Sequence, residues 1–220
     1  MTFPNAANGI KKLFIGEILA LFSAIAIACS VIFSKPVLSE AGEITSLEGS
    51  VTVAAILLSV GGIIAVVAYI LQLVGIAKAS KDEEAFKGAL YLILFSILFS
   101  IAGAALAYAF PNNTLLSNIG TVVTNLLEIL ITFLVIGGIG SLGAKLNDTE
   151  LETKAAGLLK IIVTVIVLKF IGNCVVTLFK ENIAEVVVTV LGILVLILTI
   201  VQYIVYLSLL SKAKNSLESK

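Results

Sequence analysis

The sequence predicts an all-α integral membrane protein: six transmembrane helices forming three tandem two-helix hairpins, with both termini cytoplasmic. Three observations predict it. Of 220 residues, 60% are hydrophobic and 13% are charged, and the mean hydropathy is +1.17. Soluble globular domains run about 45–50% apolar and about 25% charged, so this chain has too little polar surface to cover a soluble fold. Polar joints divide the chain into six apolar runs, each of the roughly 20 residues that a span requires. Finally, lysines in three of the joints recur at one interval: Lys78, Lys145 and Lys212 stand 67 residues apart (145 − 78 and 212 − 145).

The spans are read at 10–34, 51–77, 86–110, 118–143, 156–179 and 183–210. A polar stretch with three glutamates, Lys35-Pro36 to Ser50, separates the first two. Lys78 to Glu84 is a charged turn. Pro111-Asn112-Asn113 ends the third span, because proline stops a helix and its neighbours favour turns. Lys145 to Lys154 is a second charged turn, Lys180-Glu181-Asn182 is a short joint, and Ser211 to Lys220 is a polar tail. Between the joints the backbone has to be helical, since an amide without a hydrogen bond in lipid costs several kcal/mol.

Lysines orient the spans. One set of joints and flanks holds Lys11, Lys12, Lys78, Lys81, Lys87, Lys145, Lys154, Lys160, Lys212, Lys214 and Lys220; the opposite set holds Lys35 and Lys180. The lysine-rich side is expected to be cytoplasmic. Lys11-Lys12, an apolar run and Ala26-Ile27-Ala28-Cys29 together have the form of a lipoprotein signal. The internal repeat favours a retained first helix instead.

That repeat divides a single membrane domain, 1–220, into units 3–80, 81–147 and 148–220. Lys87 and Lys154 share the 67-residue interval, and the odd spans align without gaps: Phe22-Ser23-Ala24-Ile25-Ala26 with Phe99-Ser100-Ile101-Ala102-Gly103 and with Leu168-Lys169-Phe170-Ile171-Gly172. Three two-span units resemble mitochondrial carriers in number. Those carriers have longer units and a Pro-x-acidic-x-x-basic motif that this chain lacks, which sets that family aside. The run Gly75-Ile76-Ala77-Lys78-Ala79-Ser80-Lys81-Asp82-Glu83-Glu84-Ala85-Phe86-Lys87-Gly88-Ala89-Leu90-Tyr91 is similar to one in uncharacterised prokaryotic multi-spanning membrane proteins of domain-of-unknown-function type. The resemblance covers one turn and the start of a span. It implies membrane class and location, and no activity.

Composition also narrows the chemistry. The chain has no His, no Trp and no Arg; all 14 basic residues are Lys. Without His it lacks the commonest general base and metal ligand, and without Arg the bidentate clamp for phosphate or carboxylate. A formal charge of zero gives no basic field for nucleic acid. The expectation is a non-enzymatic protein with no cofactor and no metal.

Two ionisable residues lie deep in spans, Glu128 in the fourth and Lys169 in the fifth. In an antiparallel hairpin, residues with a constant index sum share a level. By that rule Glu128 stands level with Lys169, Asn125 with Asn173, and Thr121 with Thr177. Steps of three and four put each set on one helix face, so two polar stripes are expected to face each other or a common cavity, with the two charges within salt-bridge distance or sharing a water-filled cavity. One reading makes the stripes an interhelical lock, worth about 0.6 kcal/mol per hydrogen bond. The other makes them the wall of a vestibule.

Glu17, about 7.5 Å along the helix from Lys12, is expected to reach the headgroups. Gln72 and Gln202 are expected to join helices, and the tyrosines to anchor span ends. Gly137, Gly140 and Gly143 form a small-residue ridge that permits close packing.

The functional expectation is a multi-pass cell-membrane scaffold, assembly or regulatory subunit. Its partner is the lipid bilayer, together with a membrane protein or a second copy. A small transporter or channel between spans four and five is the alternative.

Overall fold

The computed structural model describes residues 3–34, 36–38, 44–47, 49–110, 114–178 and 181–219. Side chains at 36–38, 44–47, 107, 114–118, 173–178 and 181–188 lie outside the described set, as do Pro111, Asn112, Asn113 and Lys180. Six helices carry the fold: α1 (Pro4–Ser34), α2 (Val51–Ala79), α3 (Glu84–Ala109), α4 (Thr114–Lys145), α5 (Thr149–Leu178) and α6 (Glu181–Glu218). Each is long and apolar enough to cross a membrane, and the chain is a multi-pass membrane protein. The helices overrun the apolar runs because polar end residues such as Asn5, Lys78 and Glu218 reach water while remaining helical. Between α1 and α2, where the sequence suggests only a polar loop, β1 (Pro36–Leu38) and β2 (Ile44–Leu47) pair antiparallel, Val37 opposite Ser46, with a bulge beside Leu38.

Each helix packs on its neighbours in sequence, and α6 packs back on α1, so the six close into a ring. The ring is solid at its lysine-rich end. Ile10, Phe86, Ile139, Leu142, Leu151, Leu209 and Leu210 are fully buried there, with Ile76 and Ala79 beside them. Towards the other end the core stops. Among described residues the last buried side chain is Ile93 on α3, Leu127 on α4, Val165 on α5 and Leu209 on α6. Outward-facing apolar residues such as Ile63, Leu98, Phe170 and Leu196 are exposed, as a lipid-facing surface requires.

The pair α1–α2 departs from this pattern by packing along its whole length. The buried set on α1 includes Gly9, Gly16, Ser23 and Ser30; that on α2 includes Ala54, Gly61, Ala68 and Gly75. Both recur every seventh residue, the spacing that keeps one seam facing a partner. Small residues let the backbones touch: a Cβ on Gly9 would lie 2.5 Å from the Gly75 carbonyl oxygen, and one on Gly75 2.7 Å from that of Gly9. Further along, Ser23 Oγ donates to the Gly61 carbonyl at 2.8 Å.

At the lysine-rich end the joints bind the helices together. The Asp82 carboxylate accepts from Asn5 Nδ2 at 2.9 Å and from the Ala6 N–H at 2.8 Å, so the α2–α3 joint caps α1. Two residues past the end of α4, Asn147 has a left-handed φ of 54°. There Asp148 N–H donates to Gly143 O at 2.9 Å and Asn147 N–H to Ala144 O at 3.1 Å, a pattern that satisfies the last free carbonyls of a helix. Asp148 then caps α5, its Oδ1 accepting the Leu151 N–H at 3.0 Å, while its Oδ2 accepts from Ser216 Oγ at 2.6 Å. That Ser216 hydroxyl, followed by the Leu151 N–H, holds the Asp148 carboxyl below its ordinary value.

Two ion pairs repeat one design. Lys145 Nζ meets Glu83 at 2.6 Å and Lys212 Nζ meets Glu150 at 2.8 Å, each across 62 residues, and the second pair lies one 67-residue interval after the first. Burial follows the same interval in the even helices: Gly75, Leu142 and Leu209 are all buried, as are Ala79, Leu146 and Ala213. In the odd helices the third residue (Ala6, Phe86, Leu151) and the tenth (Leu13, Ile93, Leu158) are buried. In that register Phe22 corresponds to positions 102 and 167, so its match is three residues out with Phe99 and one residue out with Leu168. Apolar helices align almost as well about one turn away, as with Phe99, because such a shift keeps the same face.

Candidate functional site

Just beyond the packed floor, the ring encloses a cavity of about 450 Å³ to which every helix contributes. α1 supplies Leu13 and Glu17, and α2 supplies Tyr69, Gln72, Leu73 and Ile76. Ile93 and Ser96 come from α3, and Glu128, Ile131, Thr132, Val135 and Ile136 from α4. Leu158 and Ile162 come from α5, and Gln202, Tyr203 and Tyr206 from α6. A volume in the range of about 300–1,000 Å³, a mainly apolar wall and a few convergent polar groups are the ordinary properties of a small-molecule site.

The polar part of the wall is built across the α1–α6 closure. Tyr203 Oη donates to the Glu17 backbone carbonyl at 2.9 Å. The Tyr206 hydroxyl stands beside the Glu17 carboxyl. One residue of α1 therefore meets two tyrosines from α6. On α4, Thr132 Oγ1 donates to the Glu128 backbone carbonyl at 2.8 Å. Its side-chain donor is thus satisfied within its own helix, as hydroxyls in spans commonly are.

Of the residues singled out in the sequence, Glu128 reaches the cavity. It continues the core-facing row of Val135, Ile139, Leu142 and Leu146 by steps of three and four. Lys169 likewise continues the buried row Leu151, Ala155, Leu158, Ile162 and Val165 on α5, but lies one turn past its last buried member and is exposed. Among the described residues no ion pair joins Glu128 and Lys169, and Lys169 does not line the cavity.

The physical reason is that an index sum fixes height along a hairpin and leaves the direction of each side chain open. Gly143 and Gly140 keep the helices close, a Cβ on either lying 3.1 Å and 3.2 Å from α5, whereas a Cβ on Gly137 would meet nothing within 4 Å. The index sum places the two charges level, but Lys169 is exposed and does not reach the cavity. Asn125 and Thr121 are exposed and do not line the cavity. The side chains of Asn173 and Thr177 lie outside the described residues.

Several wall residues have different places from those expected. Glu17 faces the ring interior rather than the headgroups. Gln72 and Gln202 line the cavity. Three of the five tyrosines (Tyr69, Tyr203 and Tyr206) belong to its wall rather than to an interfacial belt. A polar residue some two turns from a lysine can point to headgroups or to the interior, and hydropathy does not separate the two. A usable signal existed in the repeat: Tyr69, Ile136 and Tyr203 follow the 67-residue interval and all line the cavity.

No protein-family model, curated protein or solved structure matches the chain.

Proposed function

We propose that this chain is a multi-pass protein of the cell membrane that moves a small solute through the centre of its six-helix ring. The observation that carries the reading is the cavity lined by all six helices and, among the described residues, floored at the lysine-rich end. A bundle that served purely as a scaffold would gain most by filling its axis with apolar side chains throughout, as the lysine-rich end does. The cavity therefore puts transport ahead of the scaffold or assembly role that composition alone favours.

The path follows the ring axis rather than the seam between α4 and α5. By the positive-inside rule the floor and both termini are cytoplasmic, and the mouth is external. Three tandem two-helix units, 3–80, 81–147 and 148–220, accord with the repeated ion pair and the repeated burial. The protein acts without catalysis, in keeping with a chain that has neither His nor Arg, and its apolar exterior is met by lipid.

Accessibility tests this whatever the solute. With Cys29 and Cys174 replaced by Ser, Thr132→Cys is expected to react with a charged, impermeant thiol reagent added outside intact cells. Asp148→Cys is expected not to react. A protected Thr132→Cys would remove the external vestibule, and a reactive Asp148→Cys would invert the orientation.

A further inference from the structure

We propose that the cavity binds a small organic cation, an amine or quaternary ammonium with an apolar body, whose charge is met chiefly by Glu128. The transport reading is needed only for how such a ligand crosses the membrane; the binding site stands on its own geometry.

Charge is the first argument. Two acidic residues, Glu17 and the solvent-accessible Glu128, line the cavity, and no lysine among the described residues does. The Glu17 carboxyl has the Tyr206 hydroxyl beside it. The Glu128 carboxylate accepts no hydrogen bond and forms no ion pair among the described residues; only its backbone oxygen is used, by Thr132. A carboxylate within a span is costly unless a partner offsets it, and Lys169, the lysine the sequence sets level with it, does not line the cavity. The balancing charge therefore comes from what enters. In a wall of low polarity, attraction between opposite charges is several times stronger than in water.

The second argument is the character of the rest of the wall. Tyr203 has its hydroxyl committed to α1, and Tyr206 has its own beside the Glu17 carboxyl. Their rings are fixed at the cavity wall, with Tyr69 on α2 as a third. Aromatic rings attract a cation within about 6 Å of their centres, and quaternary ammonium groups are characteristic ligands of such walls.

The remaining surface is largely branched aliphatic, with Leu73, Ile93 and Ile131 prominent. That suits a cation carrying carbon. A bare divalent ion needs about six oxygens to replace its water, and no group of three or more carboxylate, thiol or imidazole side chains is placed to hold a metal among the described residues.

Calorimetric titration of the full chain in detergent tests the assignment. The probes are choline, n-butylammonium and the uncharged isostere of choline in which carbon replaces nitrogen. Saturable binding of at least one cation is expected, with choline at least about tenfold tighter than its isostere, about 1.4 kcal/mol. Glu128→Gln should weaken cation binding by about tenfold or more, because it removes the full negative charge that attracts the cation across a wall of low polarity. Lys169→Met should leave it unchanged.

Equal affinity for choline and its isostere would overturn the proposal, as would no saturable binding of either cation or an indifferent Glu128→Gln. Displacement of choline by equimolar sodium would reassign the cavity to inorganic ions. If Glu128→Gln does not fold, the choline–isostere comparison on the native chain decides. Binding with the expected Glu128 dependence but no choline flux into proteoliposomes would retain the cation site and remove transport. Flux of another solute without cation binding would do the reverse.

Discussion

Two antiparallel helix pairs in this molecule solve the same problem differently. In α1–α2 the facing positions are Gly9 with Gly75, Gly16 with Ala68 and Ser23 with Gly61, and the backbones stay in contact from one end towards the other. In α4–α5 contact of that kind is confined to Gly143 and Gly140. Lipid is as apolar as leucine, so neither seam is held by hydrophobicity; packing and side-chain size decide how far two spans stay together. The seam of small residues closes completely. On α4 the row that passes beside Gly140 continues through Val135 and Glu128 into the cavity wall, while Lys169 on α5 stays outside it. The same contrast explains why the molecule is solid at one end: large aliphatic side chains converge near the floor, whereas beyond it the inward positions include Glu17, Ser96, Glu128 and Gln202.

The largest expected effect comes from adding volume to the closed seam. A Cβ at Gly75 would lie 2.7 Å from Gly9 O and 2.9 Å from Leu13 N, both backbone atoms that cannot rotate away. Gly75→Leu should therefore destabilise by about 1–3 kcal/mol, the usual cost of overpacking, and lower the melting temperature in detergent by several degrees. Gly137→Ala, in the open seam, should be neutral or raise stability by about 0.5–1 kcal/mol, because alanine is the better helix former and nothing obstructs it. Equal losses at the two sites would break the comparison.

Next in size is the joint that holds the open seam at its base. Asp148 caps α5 and takes the Ser216 hydroxyl, so Asp148→Ala should cost about 1 kcal/mol, in the range of other lost N-caps. Its dependence on pH has a definite sign. The folded pKa is depressed, so the contribution is fully present above the unfolded value of about 4 and is lost as pH falls through the folded value. Melting curves should show a constant gap between native chain and variant from neutral pH to about 5, closing below about 4. A gap unchanged at still lower pH would mean that the Asp148 charge is not what holds the joint.

The outline of the fold was legible because long apolar runs between charged joints admit few structures; all six spans lie where hydropathy put them. The seam of α1–α2 was present in the letters but hard to isolate. Glycine, alanine and serine are common throughout the spans, and only the register of a second helix shows which of them meet. At the site, Glu128 was legible because a carboxylate in a span stands out against its surroundings. Tyr69, Gln72, Gln202, Tyr203 and Tyr206 were placed elsewhere because polar groups within a few turns of a span end suit headgroups and interior equally well. Among the described residues no ion pair joins Glu128 and Lys169, for a third reason. Index sums give height along a hairpin, whereas pairing also needs lateral distance and side-chain direction, which the letters do not carry.

The smallest expected effect is a coupling energy near zero. If α4 and α5 have parted at the level of Glu128 and Lys169, each charge is solvated separately, Glu128 at the cavity and Lys169 at the exposed outer part of α5. A double-mutant cycle with Glu128→Gln, Lys169→Met and the pair, read by melting in detergent, should then be additive within about 0.5 kcal/mol, as for independent sites. A buried pair behaves otherwise: removing one partner strands the other and costs about 3–5 kcal/mol, which the second removal largely restores. Coupling of that size would mean that the open seam closes in some state of the protein, with Lys169 supplying the counter-charge that Glu128 lacks here. It would also make a cationic ligand and Lys169 competitors for one carboxylate, so that Lys169→Met would tighten cation binding instead of leaving it unchanged. The cycle and the titration thus bear on one question from opposite sides, namely whether the charge that balances Glu128 belongs to the chain or to its ligand.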